Sequence, residues 1–469
     1  MSPPPGASRV RASRSCGNCR AVKRRCDKKT PECGQCIRSH ETCPGYRDEW
    51  ELVFRDQTKH TIKRSKQKRD KSASPREIAT HSPPGRNPSP SLDEIGVNYF
   101  LQDFVAGGRA PTRGYLNYIP TVYYPDSEHP TLLTSMAAVG LVALATKRPE
   151  LVGHARAKYS EAIRYVNDAI ASPTESIKDS TLMSVISLGV FEHVSNFESW
   201  VRHVKGAAAL VVARGKSQFT NRVSILMFNQ VRADMSAACI QTIQPFPKDI
   251  RVLQEEGSKY TDPSDACWLI GILATECATL FAEVAAKNQG TPCSTSWSEF
   301  LEESIRLQDR FQEVFDLLAI QEPYTTIQEP DDSPSFISYR GRYDLYRSSW
   351  SIRLWNNSRM VDIIVCEIVG ICGTNYSATR EEILASVPHG LGLVYIPGQY
   401  NPADEPPQLC VSGGYMLTWN LYTVGKSPVI NNDDRKWVID RLKGISDSAG
   451  IAMAYQLAED LEKIGRTAM

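Results

Sequence analysis

The chain has 469 residues, 41% of them hydrophobic, with 54 Lys+Arg against 53 Asp+Glu and a formal net charge of +1. Met1-Ser2-Pro3-Pro4-Pro5-Gly6 lacks the apolar core of a secretory signal, and no stretch approaches 18 apolar residues, so neither secretion nor a membrane span is expected. The neutral total hides a division: residues 1–71 carry 19 Lys+Arg and 8 Asp+Glu, and the remainder 35 and 45. A basic arm on an acidic body is the footprint of a nucleic-acid binder with a separate regulatory part.

Six cysteines open the chain as Cys16-x2-Cys19-x6-Cys26-x6-Cys33-x2-Cys36-x6-Cys43, two copies of one unit. Thiolates at Cys-x2-Cys spacing grip tetrahedral zinc from a tight turn. Six are too few for two separate four-ligand sites, but suffice if two sulfurs bridge a metal pair. The internal symmetry points to the leading cysteine of each half. One metal then takes Cys16, Cys19, Cys26 and Cys33, the other Cys33, Cys36, Cys43 and Cys16. A disulfide framework is disfavoured, because Cys239, Cys267, Cys277, Cys293, Cys366, Cys372 and Cys410 are scattered, mostly in apolar segments, as reduced thiols are. A zinc deaminase would need His-x-Glu upstream, and no histidine opens one. Such a module is too small to bury a core without metal, so zinc binding and folding are expected to be coupled.

Between the second and third cysteines runs Arg20-Ala21-Val22-Lys23-Arg24-Arg25, and Pro31 stands two residues before the fourth. With these features the segment resembles the fungal binuclear zinc-cluster transcription factors, and every cysteine spacing falls within that family's range. The resemblance implies two Zn2+ ions, double-stranded DNA as partner, transcriptional co-regulators, RNA polymerase II genes and a nuclear location. It also implies that a short helix after Cys19 enters the major groove and that Lys23 donates to guanine O6 and N7, in CGG-type sites. Arg20, Arg24 and Arg25 are then expected on phosphates. Lys28, Lys29 and Arg38 fit a solvated basic face equally well.

Beyond Cys43, the string Gly45-Tyr46-Arg47 to Phe54-Arg55-Asp56-Gln57-Thr58 is similar to a subgroup of that family whose body is a fungal-specific regulatory domain. No heptad repeat follows it, so no coiled-coil dimerisation segment is expected and the oligomeric state stays open. Lys63, Arg64, Lys66, Lys68 and Arg69 form a nuclear-localisation patch. Residues 72–91, rich in Ser and Pro, read as a disordered linker.

The body reads as helical. Apolar residues at three- and four-residue spacing predict helices over 131–147, 151–171, 175–194, 197–214, 219–243, 265–287, 297–320, 345–372, 379–386, 412–424 and 432–464. Val394-Tyr395-Ile396 is the best strand candidate. Lys205 to Leu210, Phe228 to Arg232 and Trp419-Asn420-Leu421 loosely resemble the fungal regulatory domain. No catalytic motif survives inspection: Gly425-Lys426-Ser427 lacks the leading glycine of a P-loop, which is Asn420 here. His154, His193 and His203 are expected to be packed or surface residues, the thiols of Cys267 and Cys277 to be buried and structural, and Trp200, Trp268, Trp297 and Trp355 to belong to the core.

The expected fold is therefore mainly α: a disordered N-terminus (1–13), a small binuclear zinc-cluster DNA-binding module (14–46), a basic linker, partly disordered (47–91), and a large all-helical C-terminal domain of packed antiparallel helices (92–469). The expected function is sequence-specific DNA-binding transcription regulation, with no enzyme activity. The alternative is a metabolite-binding or enzymatic helical body tethered to chromatin by the zinc module.

Overall fold

A computed structural model describes residues 15–29, 31–46, 90–106, 114–123, 129–195, 197–329, 338–371, 380–394, 410–428 and 430–467. The chain divides into two compact units, Met1–Pro88 and Ser89–Met469. The first contains α1 (Gly17–Ala21) and α2 (Gly34–Arg38).

The second unit is a helical body: α3 (Leu92–Asp103), α4 (Ile119–Val122), α5 (Pro130–Ala145), α6 (Val152–Ala171), α7 (Asp179–Ser195), α8 (Phe197–Arg214), α9 (Arg222–Thr242), α10 (Lys248–Gly257), α11 (Ala266–Asn288), α12 (Trp297–Gln321), α13 (Ser349–Ile371), α14 (Arg380–Gly390), α15 (Val411–Lys426), α16 (Asn432–Ala449) and α17 (Ala452–Thr467). Local chemistry sets several starts. Ser91 and Ser296 form capping boxes with Glu94 and Glu299, and the side chains of Asn221, Asp265 and Asn431 accept backbone N–H groups of α9, α11 and α16. These bonds satisfy donors that a helix N-terminus otherwise leaves open.

Consecutive helices pack in a chain of neighbours: α3 on α5, α5 on α6 and α7, α7 on α8, α8 on α9, α9 on α11, α11 on α12 and α13, α13 on α15, and α15 on α16 and α17. The last helix returns to α7, which closes one continuous apolar core from Val97 to Leu461. The α3–α5 crossing depends on glycines. A Cβ on Gly140 would stand 1.8 Å from the Gly96 carbonyl oxygen, so only glycine allows the backbones this close.

Two features differ from the sequence expectation. Residues 432–464 are two helices, because Gly450 takes a left-handed φ of 67° and caps α16. The body is not all-helical: β1 (Tyr324–Gln328) pairs antiparallel with β2 (Arg342–Tyr346), Tyr324 opposite Tyr346 and Gln328 opposite Arg342. Val394 lies in a bend, and Tyr395 and Ile396 fall outside the described residues. No membrane span was expected; α11, 23 residues long, is by length and composition apolar enough to cross a membrane, a test that a buried core helix also passes. In the body it packs against α9, α12 and α13.

Of the four tryptophans expected to pack, Trp200, Trp268 and Trp355 are buried. Trp297 is 40% exposed at the start of α12, where the Lys287 ammonium lies 5.4 Å from its ring centre. His154 is exposed, whereas His193 is buried and His203 shares a 3.0 Å hydrogen bond with Tyr159.

Candidate metal centre and nucleic-acid face

In each half of the first unit, a cysteine stands just before a one-turn helix and a second lies inside it. Cys16 precedes α1, which contains Cys19; Cys33 precedes α2, which contains Cys36. This places both sulfurs of a pair on one side of the turn. The Cys33 sulfur also caps its helix, accepting the Cys36 N–H at 3.4 Å. Five residues are too few for a helix to persist in water unaided. The donors must therefore be organised by what they bind.

The six sulfurs gather into two groups of four. One contains Cys16, Cys19, Cys26 and Cys33, the other Cys16, Cys33, Cys36 and Cys43, and within each group all sulfurs lie within 4.8 Å. Cys16 and Cys33 belong to both groups, with their sulfurs 3.6 Å apart. Cys19 to Cys33 is 3.6 Å and Cys16 to Cys36 is 3.7 Å. A tetrahedron of sulfurs at the usual Zn–S length of about 2.3 Å has edges of about 3.8 Å. A disulfide would need about 2.05 Å. The donor set therefore fits two tetrahedral thiolate sites sharing an edge. Burial pushes the Cys16 thiol far above its ordinary value and Cys33 up to about 12. Thiols so placed ionise when a metal supplies the opposing charge.

The two halves end alike. After α1, the Arg24 N–H reaches the Cys19 carbonyl at 2.9 Å and the Lys23 N–H reaches Arg20 at 3.3 Å. After α2, Glu41 reaches Cys36 at 3.0 Å and His40 reaches Ile37 at 3.1 Å. Both are Schellman closures, with Lys23 (φ 54°) and His40 (φ 52°) in the left-handed position. Lys23 thus stands exposed on the turn that ends α1. The expected helix after Cys19 lies one turn earlier, because its hydrogen bonds begin at Cys16.

Arg24, expected from its place in the basic run to contact phosphate, is turned inward. Its Nε donates to the Cys19 sulfur at 3.3 Å, its Nη1 to Ser39 at 2.9 Å and its Nη2 to the Cys36 sulfur at 3.6 Å, and it pairs with Glu41. Those acceptors raise the guanidinium above its ordinary value, the Cys19 sulfur first and Glu41 second. Arg24 therefore touches one sulfur of each half that only a single metal would use. Aligning the two Cys-x2-Cys units could have revealed this, since Arg24 and Glu41 are both five residues past the second cysteine of their unit. Arg20 is half-buried and donates to the Ser15 carbonyl at 3.2 Å, while Arg25, Lys28, Lys29 and Arg38 are exposed. The loops are tied by the Asp27 carboxylate, which accepts the Gly34 N–H at 2.9 Å, and by Tyr46, whose hydroxyl donates to the Lys29 carbonyl at 2.5 Å. Lys63, Arg64, Lys66, Lys68 and Arg69 lie outside the described residues.

Residues 14–50 match the fungal Zn(2)-Cys(6) binuclear cluster domain. That domain binds two zinc ions, and its family consists of fungal DNA-binding transcription regulators, not enzymes, with double-stranded DNA as partner and a generally nuclear location. The helical body lies outside the match. No curated protein and no solved structure matched the chain.

Proposed function

We propose that this chain, which carries a binuclear zinc-cluster domain at residues 14–50, is a sequence-specific transcription regulator of RNA polymerase II genes that acts in the nucleus on CGG-type sites. Cys16 and Cys33 bridge the two ions, Cys19 and Cys26 complete one site, and Cys36 and Cys43 complete the other. The observation that carries this reading is the pair of four-sulfur groups sharing two cysteines, beside an exposed basic turn.

Lys23 is the base-reading residue. Its ammonium sits on an exposed turn and matches the paired acceptors that only guanine shows in the major groove. Arg20 and Arg25 supply phosphate contacts that set register. Arg24 serves the cluster. Lys63, Arg64, Lys66, Lys68 and Arg69 serve nuclear import. The domain order is that of a reading head (14–46), a basic linker (47–91) and a helical regulatory body (92–469) that recruits co-regulators.

The test is metal content against DNA affinity in the full-length protein. Two zinc ions per chain are expected, and stripping them with a chelator should abolish binding to a CGG-containing duplex. A Cys33→Ser chain should hold fewer ions and lose that binding. Full DNA affinity in the metal-free protein would overturn the reading.

A further inference from the structure

The body holds a partly open cavity of about 100 Å³ where α7, α8, α9, α11, α13 and α15 meet. Apolar side chains of α11 form its floor, and Trp200, Tyr415 and Trp419 form an aromatic wall around His193. The rings touch one another: His193 and Tyr415 centres are 4.0 Å apart, and those of Trp200 and Trp419 are 6.1 Å apart.

Two opposite charges face this cavity without pairing. Arg353 on α13 has its guanidinium over the rings of Tyr115, at 4.8 Å, and Trp350, at 5.5 Å. Among the described residues it has no hydrogen-bonded or ion-paired partner. Asp234 on α9 is held by one bond, from Gln230 Nε2 at 2.8 Å, and forms no ion pair with Arg353. Asn357, one turn beyond Arg353, also lines the space. Arg353 and Asp234 are both half-buried, and charges withdrawn from water are ordinarily paired. Side-chain polar atoms of four further lining residues, His193 Nδ1, Ser236 Oγ, Trp419 Nε1 and Asn420 Oδ1, are buried and have no partner among the described residues. Packing alone does not account for a guanidinium, a carboxylate and four open polar atoms around one small void, since buried polar groups are as a rule satisfied.

We propose that this cavity is a receptor site for a small zwitterion of the α-amino-acid class, with its carboxylate on Arg353, its ammonium on Asp234 and an apolar side chain against the Trp200–Tyr415–Trp419 wall. Each ligand group answers one observation. The guanidinium lies over two aromatic rings, which restrict its movement without using its hydrogen-bond donors, and these suit a carboxylate. Asp234 is anchored by Gln230 and offers its other oxygen. The volume is smaller than the roughly 150 Å³ of an apolar cavity that takes benzene, so the apolar side chain is a small aliphatic one. His193 adds no competing charge, because burial holds it neutral, with its value lowered to about 3. Charge separation within the site also favours a zwitterion over an amine or an acid, each of which would leave one protein charge unmatched. The inference concerns the body alone and stands or falls independently of DNA binding by the zinc module.

The experiment is calorimetric titration of the full-length protein with the twenty standard amino acids, followed by matched analogues of valine. Binding by at least one small aliphatic amino acid is expected. 3-Methylbutanoate, which lacks the ammonium, and isobutylamine, which lacks the carboxylate, should each bind at least about tenfold more weakly than valine. In Asp234→Asn the amino acid should lose about tenfold while 3-methylbutanoate is unaffected. Arg353→Met should show the converse with isobutylamine, and circular dichroism would verify that both variants fold. The proposal is overturned if none of the twenty binds at millimolar concentration, if the three valine-related compounds bind alike, or if folded Asp234→Asn keeps its full affinity for the amino acid.

Discussion

Arg24 and Glu41 occupy the same position in the two halves of the cysteine module, and their side chains pair with each other. The pair joins the halves at a point where the Arg24 guanidinium also donates to the sulfurs of Cys19 and Cys36. Partners of metal ligands orient the donors and temper their charge. Arg24→Met should therefore release zinc to a chelator about tenfold faster, while leaving the sequence preference for DNA unchanged. With cadmium in place of zinc, the two 113Cd resonances should shift in this variant. Unchanged resonances and release rate would show that the contacts do not reach the metals.

Lys23 has a φ of 54°, a conformation that glycine adopts freely and alanine does not. Lys23→Gly should keep the turn and the zinc content, yet cost about 1–3 kcal/mol of discrimination for the guanine-containing site. Lys23→Ala should show the same loss with added strain. Arg25→Ala should instead weaken binding to all sequences and reduce the salt dependence by about one counterion. The check is duplex titration at several salt concentrations.

Asp234 is pushed up to about 6, chiefly by burial, with Arg353 and the Gln230 bond opposing. The other titratable groups interacting with it, Tyr115, Tyr118 and Tyr415, stay neutral because burial raises each. The folded value lies above the ordinary 3.8, so the folded chain binds this proton more tightly, and this group's contribution to stability falls as pH rises between those values. Asp234→Asn should thus stabilise the body by about 1–3 kcal/mol at pH 7.5, and by much less at pH 4.5. Urea unfolding at both pH values measures this. A site residue whose removal stabilises the fold fits a binding group better than a structural one.

His389 works in the opposite sense. Its Nδ1 accepts the Tyr346 N–H at 2.9 Å, and burial lowers it to about 4. The unfolded chain takes up the proton first, so stability present above about 6.5 is lost as pH falls towards 4. His389→Asn, with an amide oxygen in place of Nδ1, should flatten this acid limb by about 2–3 kcal/mol. Unfolding midpoints compared at pH 7 and pH 4.5 give the answer.

The cysteine centre was legible because metal ligation imposes fixed spacing on a short stretch of chain. The sharing of Cys16 and Cys33 followed from symmetry alone. Arg24 was read for phosphate because composition cannot distinguish a guanidinium aimed at phosphate from one aimed at sulfur, and its contacts with the Cys19 and Cys36 sulfurs came only from the structure. In the body, long amphipathic helices such as α6 and α8 were visible in their periodicity. The break at Gly450 was missed because apolar residues continue on both sides of it. The hairpin was missed because each strand has five residues and its pairing is non-local. The cavity could not be read at all: Asp234 and Arg353 are 119 positions apart, and only the packing of α9 near α13 brings them to one space.

Selection from a pool of random duplexes by the full-length protein, at about 0.15 M salt where loose attraction to phosphate is screened, tests the central claim most directly. The account predicts enrichment of CGG-containing sites that requires zinc and disappears in Lys23→Gly. Salt-sensitive binding with no enriched sequence, or the same enriched sequence in Lys23→Gly, would contradict it.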